Sequence, residues 1–238
     1  MLLYLIRHGD PIYDPDSLTP LGHRQAEAIG KRLSQRGLDR IYASSSTRAM
    51  QTAQPTAEML KMNVAVLDWC SEVHTWRELT CHYPDGRTDW CFHDPEIVRL
   101  FQSAEILALG RRWYDHPAFE NTTFALGMER VQRESDAFLR SLGYAHHLDE
   151  NCYTVDGVRR ERIALFAHHG FGMAFLSCIL DLPFPLLSTR FDISHSGMTV
   201  VEFPEEGNEV YPTVLTLSND AHLYREGLPT RYGNRIDI

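Results

Sequence analysis

The sequence lacks any apolar run approaching the roughly 20 residues needed to cross a bilayer, so no membrane partner is expected. Its opening stretch, Met1 to Ile6, has no cationic flank and stops at Arg7, which is too early for a secretory signal. Cysteine is scarce. Five thiols in 238 residues, an odd number, suit no disulfide framework and point to a reducing compartment, by default the cytoplasm. An excess of positive charge is missing as well. With 23 basic against 32 acidic side chains the formal charge is −9, which argues against a nucleic-acid backbone tracking the exterior. Linkers, repeats and low-complexity tracts are also absent. What is present, 43% hydrophobic and 23% charged residues, suits a folded globular protein. A small anionic partner is compatible with this balance only if cationic side chains are gathered in one place.

The order of elements is legible from punctuation. Residues 2–6 read as a short strand buried on both faces. A helix follows, with Thr19 as N-cap, Pro20 at its first position and an apolar stripe of Ala26, Ile29, Gly30 and Leu33. Lys31, Arg32 and Arg36 load its negative end before Gly37 closes it. Residues 39–43 read as a second strand, a helix starts near Ser46 with Pro55 kinking or restarting it, and 63–67 read as a third strand. Strand–helix–strand alternation with short joints predicts right-handed crossovers and a largely parallel sheet.

From about residue 68 to 156 that rhythm breaks. The stretch holds Trp69, Trp76, Trp90 and Trp113, many histidines, and helical patterns near 95–112 and 127–142. Residues 162–167 resume the buried-strand pattern, 170–180 read as a helix, and 198–203 and 214–217 as late strands. The expectation is one α/β domain over 1–238, a three-layer sandwich with a mostly parallel central sheet flanked by helices. A mainly helical insertion at about 68–156 would cover the active-site end.

Three strand ends carry cationic or imidazole groups: Arg7-His8-Gly9, Ser44-Ser45-Ser46 followed by Arg48, and His168-His169-Gly170. Functional groups in open α/β sheets collect beyond the carboxyl ends of strands. If these three ends are neighbours, two guanidiniums, two imidazoles and two helix N-termini converge. Guanidinium forks match phosphate oxygens, and helix N-termini add unpaired N–H donors. The chemistry expected is that of a phosphoryl pocket.

These residues resemble the histidine phosphatase superfamily, which includes the cofactor-dependent phosphoglycerate mutases. The resemblance is carried by Arg7-His8-Gly9, Leu18-Thr19-Pro20-Leu21-Gly22 with Gln25-Ala26, Ile41-Tyr42-Ala43-Ser44-Ser45 leading to Arg48-Ala49 and Gln51-Thr52-Ala53, and the late His169-Gly170. It implies that His8 is the nucleophile, forming a phosphohistidine, and that Arg7, Arg48 and His169 hold the phosphoryl oxygens. It implies a proton donor just after the third strand, for which Glu72 in Cys70-Ser71-Glu72 is the candidate; Asp68, Glu78 and Asp10 are also within reach. His168 reads as a neighbour filling the strand end. No metal or cofactor is implied, and the partner would be a small phosphorylated substrate.

Two features depart from the pattern. Many members have Asn where this chain has Asp14, and a carboxylate there would repel the substrate unless protonated, paired or turned away. Arg111-Arg112 only faintly resembles the paired arginines that bind substrate carboxylate in the mutases, and an Arg pair ending a helix also compensates its dipole. The reading is a metal-independent phosphatase acting on a small phosphate monoester. The alternatives are a mutase or a catalytically weak phospholigand-binding protein. A further cluster, Cys70, His74, Cys81, His82, Cys91 and His93, has zinc-ligand chemistry but no paired Cys-x-x-Cys or His-x(3–5)-His unit.

Overall fold

In a computed structural model of the chain, residues 1–207 and 209–232 are described; the last residues of the expected 1–238 domain lie outside them. The strand Leu2–Arg7 lies inside a six-stranded sheet, parallel to Arg162–Ala167 on one side and antiparallel to Met198–Glu202 on the other. Arg162–Ala167 pairs in parallel with Arg40–Ser44, which pairs in parallel with Val64–Leu67. Thr213–Asn219 closes the opposite edge, antiparallel to Met198–Glu202. The sheet is thus mixed but mainly parallel.

Side-chain alternation divides the interior in two. Ile6, Ala43, Ala164, Phe166 and Val200 face the helices Pro20–Ser34 and Thr47–Leu60, meeting Ile29, Leu33, Ala53 and Ala57. Leu3, Leu5, Ile163, Leu165 and Val201 face the other layer, where Phe171, Phe175 and Ile179 of the helix His169–Leu180 are buried. Helices therefore cover both faces, as the three-layer reading requires.

The caps fall where the sequence places them. Thr19 accepts the Gly22 N–H at 3.0 Å and Pro20 opens the first helix. Ser46 accepts from Ala49 at the start of Thr47–Leu60, and that helix continues through Pro55. The expected helix at 95–112 is instead two short helices, Pro95–Phe101 and Ala104–Ala108, and a 3-10 segment. Ser103 caps a new start by accepting from Ile106, and Gly110 adopts a left-handed φ of 55° that stops continuation.

The insertion departs from a simple cover. Its longest helix, Phe124–Ser141, belongs to the flanking layer: Phe138 meets Tyr42 of the sheet edge-on at 5.1 Å, and Trp69 sits between Phe138 and Phe171. Trp113 is fully buried and stacks on Phe184 at 5.5 Å, so the core of the insertion is continuous with the core of the sheet. The insertion also holds two small hairpins, Thr80–His82 with Thr88–Trp90 and Tyr144–His147 with Cys152–Val155.

Candidate active site

The carboxyl ends of Leu2–Arg7, Arg40–Ser44 and Arg162–Ala167 are adjacent, and the segments leaving them converge. Gly9 follows the nucleophile candidate because two backbones meet there: a Cβ on Gly9 would lie 2.7 Å from Gly22 O, and one on Gly22 would lie 2.2 Å from Asp10 O. Side chains then bind the loop to the helices. Thr52 Oγ1 accepts the Gly9 N–H at 3.0 Å, and Gln25 accepts the Asp10 N–H at 2.7 Å.

His8 is 1% exposed, and its Nδ1–H donates to the Gly9 carbonyl at 2.8 Å. That bond fixes the tautomer and leaves Nε2 with the lone pair. Burial, followed by the nearby His168, Arg7 and Arg48, pushes the imidazole pKa well below its ordinary value. His8 is a neutral ring at neutral pH with a free nucleophilic nitrogen.

Two guanidiniums flank it. Arg48 donates through Nη1 to Asp16 at 2.7 Å and through Nη2 to Glu72 at 3.3 Å and His168 Nδ1 at 3.2 Å. Arg7 donates through Nη1 to the Ile193 carbonyl at 2.5 Å and through Nη2 to His195 Nε2 at 2.9 Å. The Nε–H of both arginines is buried without a partner among the described residues. Unsatisfied buried cationic donors are costly, and an anion would satisfy them.

Glu72 lies in the same cluster. One oxygen accepts the Gly170 backbone N–H at 2.8 Å, the other faces Arg48 and lies 3.7 Å from His168 Nδ1. Burial opposes its charge, yet His168, Arg48, Arg7 and the Gly170 N–H together hold the carboxyl below its ordinary pKa. The other acid candidates are engaged differently. Glu78 is gripped by Arg130, Asp68 bonds Ser45 and His74, and Asp10 accepts from Thr19.

Of the two adjacent histidines, the structure brings His168 rather than the expected His169 to His8. The reason is register. Arg7 pairs with Ala167, so His8 and His168 are the next residues on parallel neighbours, and their ring centroids are 5.2 Å apart. His168 Nε2–H donates to Ser44 Oγ at 2.8 Å, and burial lowers its pKa to about 4 despite Glu72. His169 turns the other way, toward Asp192 at 3.0 Å and the edge of Phe92.

Asp14 is exposed at the tip of the hairpin formed by Pro11–Tyr13 and Asp16–Leu18, whereas His8 is buried. Asp16 of the same hairpin reaches Arg48 instead, and no sequence pattern marked it. His195, whose ring stacks on His8 at 5.8 Å, was also missed; it comes from a loop without periodicity.

Arg111 and Arg112 do not join this cluster. Arg111 pairs with Asp181 and Arg112 with Asp115 and Glu129, and both line a separate cleft of about 730 Å³ with Tyr114, Gln132 and Arg140. The Cys/His stretch is dispersed too: His74 bonds Asp68, His82 bonds Thr88, His93 bonds Asp89, and Cys70 and Cys91 are in the core. Among the described residues one group has metal-ligand geometry, His8, Glu72 and His168, with donor atoms within 4.8 Å of one another. Arg48 Nη2 sits against two of those three, which suits an anion better than a cation.

The model of the histidine phosphatase superfamily (branch 1) matches residues 3–214. The mitochondrial serine/threonine-protein phosphatase Pgam5 of Drosophila virilis is 29% identical over 143 residues, 55% of this chain and 48% of that protein. The chain thus spans about half the length of the curated relatives it matches. A phosphoserine phosphatase of Entamoeba histolytica, solved with phosphoserine, superposes with a TM-score of 0.59 at 18% identity, over 93% of this chain and 98% of that one. A mycobacterial glucosyl-3-phosphoglycerate phosphatase gives 0.57 at 19% identity, over 90% and 97%. At these identities the two structures show the shared fold. Among the described residues no helix is long and apolar enough to cross a membrane.

Proposed function

Because the chain belongs to branch 1 of the histidine phosphatase superfamily, we propose that it hydrolyses small phosphate monoesters through a covalent phosphohistidine on His8. The observation that carries this reading is a neutral, buried imidazole whose Nε2 lone pair is free among the described residues, flanked by two guanidiniums whose Nε–H groups are buried and unpartnered among them.

In the first step Nε2 attacks phosphorus, the P–N bond forms, and the ester P–O bond breaks. The leaving oxygen takes a proton from Glu72. In the second step Glu72 takes a proton from water, whose oxygen attacks phosphorus as the P–N bond breaks, releasing inorganic phosphate and neutral His8. The lowered pKa of Glu72 in the free site is not at odds with this role. A phosphoryl dianion drawn to Arg7 and Arg48 competes for the cations that hold Glu72 ionised, and so raises its proton affinity. Arg7, Arg48 and His168 would surround the phosphoryl group, and His169 would stand outside it. The cationic groups are built into the chain, so no metal is assigned.

The mutase alternative loses support from Arg111 and Arg112, both spent on ion pairs within the protein. A reducing compartment is assigned from five unpaired cysteines, four of them buried. The test is a phosphoester panel with chelator present and vanadate as control. Turnover of one or more monoesters, inhibited by vanadate, is expected. Vanadate binding without any turnover would favour a phospholigand-binding protein. Dependence on 2,3-bisphosphoglycerate would favour the mutase.

A further inference from the structure

We propose that His195 is a positioning residue that orients the Arg7 guanidinium and the His8 ring for phosphoryl transfer. This rests on the phosphatase reading for its chemistry, but the placement of His195 is independent of it. The residue lies in the loop between the helix Phe184–Arg190 and the strand Met198–Glu202. That loop is tied to the Arg7-His8 pair through the backbone: Arg7 N donates to Gly197 O at 3.2 Å, and Ser196 N donates to His8 O at 3.1 Å. It is also held from behind. Ser194 N donates to Ser218 Oγ at 2.8 Å, and Ser196, at a left-handed φ of 57°, places its hydroxyl 2.9 Å from His222 Nε2. The ring of His195 therefore has little freedom.

A guanidinium can only donate, so the 2.9 Å contact from Arg7 Nη2 makes His195 Nε2 an acceptor. The proton must then be on Nδ1, which is buried without a hydrogen-bond partner among the described residues and faces an oxygen of Asp10 at 3.5 Å. Asp10 is itself fixed by Thr19 Oγ1 and by the backbone bond to Gln25. Asp10 thus faces the protonated edge of His195 while the opposite edge accepts from Arg7. Burial, then Arg7, lowers the His195 pKa to about 3, so the ring stays neutral over the working range.

With the Ile193 carbonyl on Nη1 and His195 on Nη2, the plane of the Arg7 guanidinium is set, and Nε–H has no partner among the described residues. The other face of His195 stacks on the His8 ring, 5.8 Å between centroids with 30° between planes. One side chain thus restrains both the nucleophile and a phosphate donor without itself being required to touch phosphorus. A guanidinium left free to rotate would lose orientation at the point where small displacements are costly.

The experiment compares His195→Phe, which keeps a stacking ring and removes the acceptor, with His195→Gln, whose amide oxygen can accept from Arg7. Each is measured alone and with Arg7→Ala, using p-nitrophenyl phosphate turnover and calorimetric vanadate binding, with thermal melts confirming the fold. His195→Phe is expected to lower kcat/KM and vanadate affinity about 10- to 100-fold, and His195→Gln to recover most of the loss. In the Arg7→Ala background, His195→Phe should change either quantity less than about threefold. Equal losses with and without Arg7, or a fully active His195→Phe enzyme, would overturn the proposal. A wild-type protein that binds vanadate without turnover, with binding weakened by His195→Phe, would support the positioning role and reject the phosphatase reading. A wild-type protein that binds no vanadate would reject both.

Discussion

A carboxylate oxygen of Glu72 accepts the Gly170 backbone N–H at 2.8 Å, capping from outside a helix whose own N-cap residue, His168, makes no side-chain cap bond. The positive end of that helix favours the ionised carboxylate. The proposed proton donor is thus held by the same helix start that delivers His168 to the site.

Residue 170 is a glycine because the Trp90 ring covers its Cα. A Cβ at residue 170 would lie 2.4 Å from the Trp90 ring. Gly170→Ala should displace the indole, loosen Glu72 and cost roughly 1–3 kcal/mol of stability, with kcat reduced about tenfold or more. Trp90→Phe removes the colliding atoms, so the double variant should recover part of both. Wild-type kcat and melting in Gly170→Ala would rule out the tight seat described here.

Replacing Glu72 with Gln keeps an oxygen for Gly170 and removes the transferable proton. Loss of a general acid should lower kcat/KM, which reports formation of the phosphoenzyme and not its hydrolysis, about 10²- to 10⁴-fold for alkyl phosphates and much less for p-nitrophenyl phosphate, whose leaving group needs little protonation. A comparison of the two substrates decides it. Equal losses would assign Glu72 to binding alone.

Stability should fall as the solution is acidified below neutrality. Burial lowers the pKa of His8, and takes His168 to about 4, His195 to about 3 and His222 to about 4. The unfolded chain titrates these groups near 6.5, so from there down to about 4 it binds more protons than the native state. The stability these neutral rings contribute is present above that range and is lost as pH falls through it. His146 has the opposite sign: burial lowers its pKa, but the bonds to Asp136 and Asp181 outweigh burial and raise it, so its contribution fades as pH rises. Four groups against one favour a net loss. Urea midpoints at about pH 7, 5.5 and 4.5 should decrease in that order; a flat or rising series would contradict these assignments.

Chelation should leave activity intact. Cys70 Sγ donates to the Leu67 carbonyl and each histidine of the 70–93 stretch bonds a separate partner, so the described residues of this stretch gather no set of zinc ligands. Metal analysis of untagged protein should find no stoichiometric zinc, and EDTA should change neither kcat nor the melting temperature. Loss of either on EDTA treatment, restored by zinc, would reverse this.

The sequence was most readable where punctuation is local. Thr19-Pro20, Ser46 and Gly37 set the ends of elements by their own geometry, and the buried strands showed as short apolar runs. The break at Ser103 was hidden because the apolar pattern of 95–112 continues across it. The hairpins at 11–18, 80–90 and 144–155 are too short for periodicity to mark. Choosing between His168 and His169 required the pairing of Arg7 with Ala167, a relation between strands over 150 residues apart that neither strand records alone. Asp16 and His195 reach the site from a hairpin and a loop, and their roles follow from partners distant in sequence.

The central claim is most directly tested by trapping the covalent intermediate. Rapid acid-free quenching with p-nitrophenyl phosphate, followed by peptide mass analysis, should show one phosphoryl group on the peptide containing His8. It should be labile in acid and stable in base, and His8→Ala should show none and have no turnover. A phosphoryl group on another residue, or His8→Ala turning over at the wild-type rate, would contradict the account.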